Sequence, residues 1–405
     1  MQFVNSLKIR RFSLTKLSLF FIVGLMYTHG AQARNGLFPH FVGTHGMLSG
    51  AGTALPLDAS NVIANPAHIG RLPTHVALFQ GVFNQDQSLD SSSALLGNPI
   101  GKQKNRYKTL FVNDAGFNYR INEKWAFGIG MSGGGGFVAF KSATRNPGAL
   151  NPPNGNFDNE AVNRVILTAP TLAYNPTKGQ SYGISLLVGY SDFWMNLGLP
   201  NGQQISGQLQ SNKVFGVGVR IGGMWDVNKY LTIGSSAATP VFFAKYNKYP
   251  EFQDAYEIPA TFRFGIAVHF NPQTDFVLDF KGIYWGKVNF LHKNLGWGNQ
   301  AIILTGIQHK FTDSLTVGIG YNYGKSPIYE NKVFFNALSI PLDEHHISGG
   351  VRYKVTESVE LIGIGYFIPH KKMTDDGTSM PGGVSRGATI ESRTIGGTLG
   401  LRVNF

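Results

Sequence analysis

Apolar and polar residues alternate along most of this chain, so that every second side chain is apolar in segment after segment. The alternation recurs at 314–323, at 346–355 and in the segment that ends at Phe405. A period of two predicts β-strands with one apolar face and one polar face. In residues 261–270 one face carries Phe262, Phe264, Ile266, Val268 and Phe270, and the other carries Arg263, Gly265, Ala267 and His269.

The connections between these strands fall into two length classes. Short polar turns lie at 122–124, 175–177, 226–228, 271–273, 312–314 and 356–358, and longer Gly-, Pro- and Asn-rich connections at 84–107, 141–160, 195–211, 245–257, 287–298, 324–342 and 370–390. This asymmetry is typical of a transmembrane β-barrel, which must close because no backbone group can stay unpaired in hydrocarbon. A propeller would need four short strands per repeat instead of two long ones. We predict an all-β fold, a transmembrane antiparallel β-barrel of about 14 strands formed by residues 74–405.

Aromatic residues near the strand ends fit the girdles that such barrels place at the two membrane interfaces. The final amphipathic strand ends on Phe405, which resembles the signal that barrel-assembly machinery reads. We therefore expect that machinery to be a partner. The predicted girdle residues are Tyr119, Trp125, Tyr182, Tyr190, Trp225, Tyr230, Tyr353 and Tyr366.

The first 33 residues predict a cleaved signal peptide. They combine a basic start, an apolar run at 17–26 and an Ala-Gln-Ala tripeptide, and the alternative is an uncleaved anchor. They carry four positive charges and no negative charge, so cleavage would lower the net charge of the chain from +12 to +8. The basic residues are scattered among strands, which favours an anionic lipid surface or ligand over nucleic acid. The chain has no cysteine, which excludes a disulfide scaffold.

No residue pattern predicts catalysis, and we expect neither catalytic residues nor cofactors. His345 and His346 stand beside Asp343 and Glu344, but adjacent strand residues point to opposite faces. We therefore predict no metal site. The four glycines at 133–136 lack the Lys-Ser/Thr that a phosphate-binding loop requires. Such a run inside a strand pattern marks a bulge or bend, or else the start of a loop.

Residues 34–73 do not alternate and contain the segment GAGTALPLDASNVIANPAHIGRL. With the strand pattern behind it, this segment resembles the FadL family of outer-membrane transporters of long-chain fatty acids and other hydrophobic compounds. The segments GYNYGKSPI and SIPLDEHHISGGVRYKV are similar to that family's penultimate hairpins. The resemblance covers essentially the whole chain after the signal peptide.

The resemblance implies that residues 34–73 form a hatch that plugs the barrel, with the motif Asp58, Asn65, Pro66 and Ala67. It also implies capture of ligand outside and lateral release through a gap at an inward kink of the third strand. Counting strands places Gly133, Gly134, Gly135 and Gly136 in that strand, at 124–140. Apolar hatch residues would line a ligand pocket or simply pack the plug; they are Leu37, Phe38, Phe41, Met47 and Leu48.

Charged residues on the polar face would pair with the hatch and each other, or meet a ligand carboxylate. They are Arg220, Arg263, Asp279, Lys281, Arg352, Lys354 and Arg402.

We expect a monomeric channel of the bacterial outer membrane, in contact with outer-membrane lipid and lipopolysaccharide. It would take up hydrophobic small molecules passively, either fatty acids or aromatic hydrocarbons. One alternative is a general porin for small hydrophilic solutes, which needs an open lumen. The other is a barrel-anchored adhesin, which needs a large folded loop or passenger domain.

Overall fold

The structure is a computed structural model, and it describes residues 43–94, 101–140, 159–198, 204–206, 211–249 and 254–405. The predicted signal peptide and the first part of the predicted hatch lie outside the described residues. Fourteen long strands run through the described part: β1 (His75–Asp90), β2 (Thr109–Arg120), β3 (Trp125–Phe140), β4 (Asn159–Tyr174), β5 (Gln180–Gly198), β6 (Asn212–Asn228), β7 (Leu231–Ala238), β8 (Thr261–Asn271), β9 (Thr274–Ile283), β10 (Gln300–Lys310), β11 (Leu315–Gly324), β12 (His345–Lys354), β13 (Val359–Thr374) and β14 (Thr389–Asn404).

Each strand pairs antiparallel with its neighbours in the chain, and the sheet closes because β1 also pairs with β14. The closing ladder runs from His75 opposite Asn404 to Asp90 opposite Thr389. Four short strands extend the sheet: Gln103–Lys104, Gln204–Ser206, Val241–Phe243 and Glu257–Ile258. The predicted fold, a closed antiparallel barrel of fourteen strands, is confirmed.

The alternation in the sequence corresponds to the two sides of the wall. On β8, Phe262 is 38% exposed and Phe264 is 44% exposed, whereas Arg263 is 3% exposed. Large apolar side chains therefore cover the outside, as they must against lipid, and the polar face lines the lumen.

The connections are short at one end of the barrel and long at the other, as the sequence predicts. The long-loop end contains an α-helix, Asn289–Leu295, and 3-10 turns at Trp285–Lys287, Glu330–Lys332, Phe334–Asn336 and Pro381–Gly383. Strands continue into segments that sequence analysis assigns to loops: β1 extends to Asp90 and β5 is 19 residues long. A strand needs only about 9–11 residues to cross a membrane, so the wall projects beyond the bilayer at this end.

Aromatic pairs lie on the outside at the short-turn end. Trp125 contacts Tyr174 with ring centroids 4.6 Å apart, and Tyr182 contacts Trp225 at 5.8 Å. The prediction is wrong for Tyr366, which is 4% exposed and faces the lumen, where it contacts Phe83. Its position in the alternation places it on the inner face with Ile364 and Ile368. Among the described residues, no helix is long and apolar enough to cross a membrane.

Residues 43–73 lie inside the barrel, and we call them the hatch segment. They fold into three 3-10 turns, Thr44–Leu48, Ala59–Ile63 and Pro66–Arg71. Short 3-10 turns fit the composition, because the small residues and Asn65-Pro66 favour tight turns over a long helix.

Candidate functional site

Two hatch residues singled out from the sequence cap the 3-10 turns. The Asp58 carboxylate accepts hydrogen bonds from Ser60 N (2.7 Å) and Thr44 N (3.0 Å). The Asn65 side chain accepts from Ala67 N (3.1 Å), and its amide donates to Thr53 O (2.8 Å). Both side chains are fully buried. They satisfy backbone groups at the starts of two turns, which would otherwise stay unpaired in the lumen.

The barrel wall is lined with glycine where the hatch segment packs against it. A Cβ atom would lie 2.1 Å from Ser60 N at Gly116, 2.4 Å from the Pro66 carbonyl carbon at Gly183 and 2.1 Å from the Leu48 carbonyl carbon at Gly320. No side chain fits at such distances. The chain's 51 glycines therefore have a structural use here, since they let the hatch backbone approach the wall closely. Further wall glycines facing the hatch segment are Gly128, Gly130, Gly222, Gly234, Gly306, Gly318 and Gly350.

Replacing one of these glycines by alanine should weaken the plugged barrel. We expect Gly183→Ala to lower the free energy of unfolding by about 1–3 kcal/mol, because the methyl group forces the Pro66 backbone away. Gly365→Ala is the matched control, since nothing lies within 4 Å of a Cβ there. Urea unfolding in detergent micelles measures both. Equal stabilities for the two variants would contradict the close packing.

Charged lumen residues hold the hatch segment in place. Arg220, Arg263 and Arg402 donate to the carbonyl oxygens of Ala64 (3.0 Å), Gly50 (3.2 Å) and Leu57 (2.8 Å) respectively. Among the described residues, no backbone N–H of the hatch segment donates to these three carbonyl oxygens, so the arginines satisfy them instead.

The other predicted lumen charges have separate positions. The Asp279 carboxylate accepts from Gly52 N (2.9 Å), Thr53 N (2.9 Å) and Thr53 Oγ1 (2.7 Å). Arg352 pairs with Glu360 at 3.1 Å. Lys281 is fully buried opposite Arg263 in the β8–β9 ladder, and Lys354 is exposed at the short-turn end.

Met47 and Leu48 pack against wall glycines at 306, 318, 320 and 350. Both are fully buried, and their predicted role in a ligand pocket stays a prediction. The other pocket candidates, Leu37, Phe38 and Phe41, lie outside the described residues.

The hydrogen-bonded wall is interrupted between β2 and β3. The ladder runs from Arg120 opposite Ala126 to Asp114 opposite Ser132, and no pairing between these strands is recorded beyond it in the described residues. The four glycines come next in β3, which goes on pairing with β4 as far as Phe140 opposite Asn159. Residues 109–113 of β2 pair with β1. The glycine run therefore lies within a strand, at the point where β3 leaves β2.

Beyond the glycine run, both faces of β3 are buried. Phe137, Val138, Ala139 and Phe140 are all at most 2% exposed, so both faces of the strand are covered. Asn105 takes the place of β2 here, since its side chain donates to Phe137 O (2.9 Å) and accepts from Ala139 N (3.0 Å). The interruption is thus bounded by Asp114 and Ser132 below and by Asn105 above. We call this gap in the pairing the wall interruption. The four glycines in it span roughly 13 Å of strand.

Conformation explains why glycine occupies this run. Gly135 has φ of +147°, and a Cβ atom there would lie 1.8 Å from Asn163 O. A side chain at this position would break the β3–β4 ladder. Gly134 differs, because nothing lies within 4 Å of a Cβ built on it. It borders open space.

Aromatic side chains cluster at the long-loop end of the lumen. Phe193 stacks on Tyr246 with ring centroids 4.7 Å apart and meets Tyr249 edge-on at 5.2 Å. Phe290, from the helix, meets Tyr246 at 6.3 Å and Tyr256 at 6.1 Å. Burial raises the pKa of Tyr256 to about 12 and raises the pKa of Tyr246 as well. Their hydroxyls therefore stay neutral, and this aromatic cluster is an uncharged surface.

Arg164 lies beside the wall interruption. It stands opposite Gly135 in the β3–β4 ladder, 4.7 Å from the Trp194 ring and 5.9 Å from the Phe137 ring. Asp192 is 3.9 Å away. Next to it, Tyr107 donates to Glu160, and burial together with that carboxylate raises the pKa of Tyr107. Sequence analysis missed these residues, because nothing in the alternation of β4 distinguishes Arg164.

Sequence analysis overlooked one serine with the spacing of a nucleophile elbow, in Gly-Val-Ser-Arg-Gly at 383–387. Ser385 is fully buried and donates to Asp375 at 2.9 Å. The same carboxylate accepts from Phe334 N and Gly377 N, so Asp375 ties the loop together. The segment also lacks the strand-to-helix turn that exposes a nucleophile.

Comparison with solved structures identifies the fold, although no family model and no curated protein matches the chain. The toluene transporter TodX of Pseudomonas putida superimposes with a TM-score of 0.68 at 15% identity, over 93% of this chain and 99% of that one. The toluene transporter TbuX of Ralstonia pickettii has a TM-score of 0.62 at 15% identity, over 90% and 98%. A Pseudomonas aeruginosa FadL homologue has a TM-score of 0.59 at 14% identity, over 88% and 96%. The chain therefore has the fold that these toluene transporters and the FadL homologue share, and the resemblance drawn from its sequence is confirmed at the level of the fold.

Proposed function

We propose that the protein is an outer-membrane channel for the passive uptake of hydrophobic small molecules. Ligand binds at the aromatic cluster near the long-loop end and leaves sideways through the wall interruption. Aromatic hydrocarbons and long-chain fatty acids are the two ligand classes that such a route suits. Solved structures of the same fold, which include toluene transporters, support this reading.

The observation that carries the proposal is the end of the β2–β3 ladder at Asp114 and Ser132. A barrel in hydrocarbon gains by pairing every strand along its whole length, so an unpaired stretch needs a reason. Here the strand that leaves the wall contains four glycines, and a Cβ at Gly134 would meet nothing. An opening toward lipid gives that arrangement a use.

The plugged lumen also favours lateral release. The hatch segment contacts the wall through glycines on many strands and through three arginines, and we infer from these contacts that it fills a straight route to the short-turn end. A general porin needs that route open. A hydrophobic ligand does not need that route, because it can move from an apolar site directly into the bilayer. Staying out of water stabilises it by about 0.8 kcal/mol for each buried CH₂.

The aromatic cluster suits capture. Its rings are buried and uncharged, and placing an aromatic or acyl ligand among them is favourable without any charged partner. Strands that project beyond the bilayer hold the cluster outside the membrane, where a ligand arrives first.

Uptake by whole cells tests the proposal. Cells that lack their own transporter should take up labelled toluene and oleate when they carry this protein, and labelled sugar uptake should stay at background. Phe193→Ala with Phe290→Ala should lower hydrophobic uptake at limiting concentration by roughly tenfold or more, since each lost ring removes about 1–2 kcal/mol of ligand contact.

The matched control is Phe270→Ala with Phe276→Ala, an outward-facing pair at the short-turn end with centroids 6.4 Å apart. It removes two rings far from the proposed route. Sugar uptake without hydrophobic uptake would replace the proposal by the porin alternative. Equal effects of the two double variants would show that the aromatic cluster does not capture ligand.

A further inference from the structure

We propose that two amide side chains on the outside of the barrel accept the polar head of a ligand that leaves through the wall interruption. They belong to Gln80 of β1 and Asn113 of β2, and we call them the amide pair. The ligand class is an apolar molecule with one uncharged hydrogen-bonding group, such as a phenol with an alkyl chain. This inference rests on the proposed function, because it requires lateral release.

The sheet register places the amide pair side by side on the outer face. Gln80 is exposed and stands opposite Asn113 in the β1–β2 ladder. The next residue of β2, Asp114, faces the lumen, where its carboxylate accepts from Gly43 N at 3.0 Å. Neighbouring strand residues point to opposite faces, so Asn113 points outward. Phe111, two positions away on the same face, is 40% exposed.

The amide pair lies at the level of the apolar band that covers the outside of the wall. Gln80 stands opposite Leu399 of β14, which is 76% exposed. On either side of it along β14, Leu401 is 37% exposed and Ile395 is 55% exposed. An amide at this level loses its hydrogen bonds to water, so its presence there needs a compensating use.

The hydrogen-bonding capacity of the amide pair is not used up within the described residues. The Asn113 Oδ1 atom is buried and has no hydrogen-bond partner among them. The Gln80 amide donates to Gly81 O at 3.0 Å. Because each carboxamide has two N–H donors and an oxygen acceptor, the pair can serve a further polar group.

The amide pair borders the wall interruption. The β2–β3 ladder ends at Asp114 opposite Ser132, and Asn113 is the next residue of β2. Asn113 is only 8% exposed, although it lies on the outward face, whereas Gln80 beside it is exposed. A ligand head that leaves through the interruption reaches Asn113 first and Gln80 next.

The chemistry of the amide pair identifies the class of ligand. A hydroxyl that enters hydrocarbon gives up its hydrogen bonds to water. At the amide pair it donates to Asn113 Oδ1 and accepts from a Gln80 N–H instead, which lowers the barrier to its release. Both amides are neutral, so they suit an uncharged hydroxyl, whereas a carboxylate is bound best by a cation. A plain hydrocarbon has no polar group and gains nothing from the pair.

Competitive uptake of two ligands that differ by one hydroxyl tests the proposal. Cells that lack their own transporter receive labelled para-octylphenol and octylbenzene together, and both uptake rates are measured above the background of cells without this protein. Gln80→Leu with Asn113→Leu should lower the phenol-to-hydrocarbon ratio about fivefold, the effect of one neutral hydrogen bond. Octylbenzene uptake should stay unchanged. Gln80→Leu alone, at an exposed position, should lower the ratio about twofold and serves if the double variant does not fold.

The matched control is Gln180→Leu with Thr305→Val. It removes an exposed amide from β5 and, from the outward face of β10, a hydroxyl that donates to Val277 O at 3.1 Å. Heat-modifiable migration on gels shows that the variants are folded barrels.

The outcomes separate this inference from the proposed function. An unchanged ratio in a folded amide-pair variant would overturn the inference and leave the proposed function standing. So would an equal fall in the uptake of both compounds, or an equal change of the ratio in the control. If the unmodified protein takes up neither compound, the proposed function fails and this inference fails with it.

Discussion

A tryptophan at position 134 should abolish uptake of toluene and oleate while the barrel still assembles. A Cβ at Gly134 meets no atom within 4 Å, so the large ring extends into the open space at the wall interruption. The backbone there does not have a positive φ, so a bulky L-residue is tolerated. If ligand leaves through the interruption, the ring stands in its path. We expect at least a tenfold loss of the uptake rate in whole cells.

Gly365→Trp is the control for this experiment. It adds the same ring at another wall glycine with nothing within 4 Å, but at a point of β13 that pairs with β12 on one side and with β14 on the other. It should leave uptake unchanged. Normal uptake by Gly134→Trp in a folded barrel would rule out lateral release at β3. Gly135→Val is not a useful substitution, because its clash with Asn163 O would disturb folding itself.

Asp279→Ala should loosen the front of the hatch segment and let ions through the lumen. The carboxylate accepts three hydrogen bonds from Gly52 and Thr53 and is 2% exposed. Removing one partner from a buried charged network costs roughly 3–5 kcal/mol. Part of that cost can be avoided if residues 50–53 leave the wall and meet water. We therefore expect single-channel conductance in planar bilayers to rise severalfold above that of the unmodified protein.

Asp226→Ala provides the comparison. Asp226 also holds the hatch segment, through Arg71 at 2.6 Å, but its side chain is 38% exposed at the short-turn end. An exposed ion pair contributes only about 0–1 kcal/mol. This variant should therefore conduct like the unmodified protein. If Asp279→Ala stays closed and equally stable, the lumen carboxylate does not secure the hatch segment.

Alternation alone was enough to predict the barrel, because the wall of a transmembrane barrel separates two solvents at every strand. Phe262 and Arg263 fall on opposite faces as their neighbours in sequence require. Strand ends were harder to predict. Beyond the bilayer the outer face is polar too, so Asp86 and Gln87 of β1 resemble a loop although they are strand. Tyr366 was misplaced for a related reason, since an aromatic near a strand end can face either way.

The site was predictable only in part. The glycine run was visible as poor strand sequence, and the Asp58 and Asn65 caps as turn formers. The aromatic cluster was not, because Phe193 comes from β5 and Tyr246 and Phe290 come from two later connections, which only the closed barrel brings together. Arg164 was invisible for the same reason. Its surroundings depend on where β3 leaves the wall.

The contacts of the hatch segment set an order of events during biogenesis. Leu57 is held by Arg402, which follows it by 345 residues, and Ser49 is held by Ser348. Neither contact can form until the last strands exist, and closing such long loops is slow. The segment nearest the start of the chain is thus synthesised early but seated late. Until then the apolar side chains of the hatch segment and the glycines of the wall are not packed against each other. A chaperone that shields the early segment would therefore speed maturation.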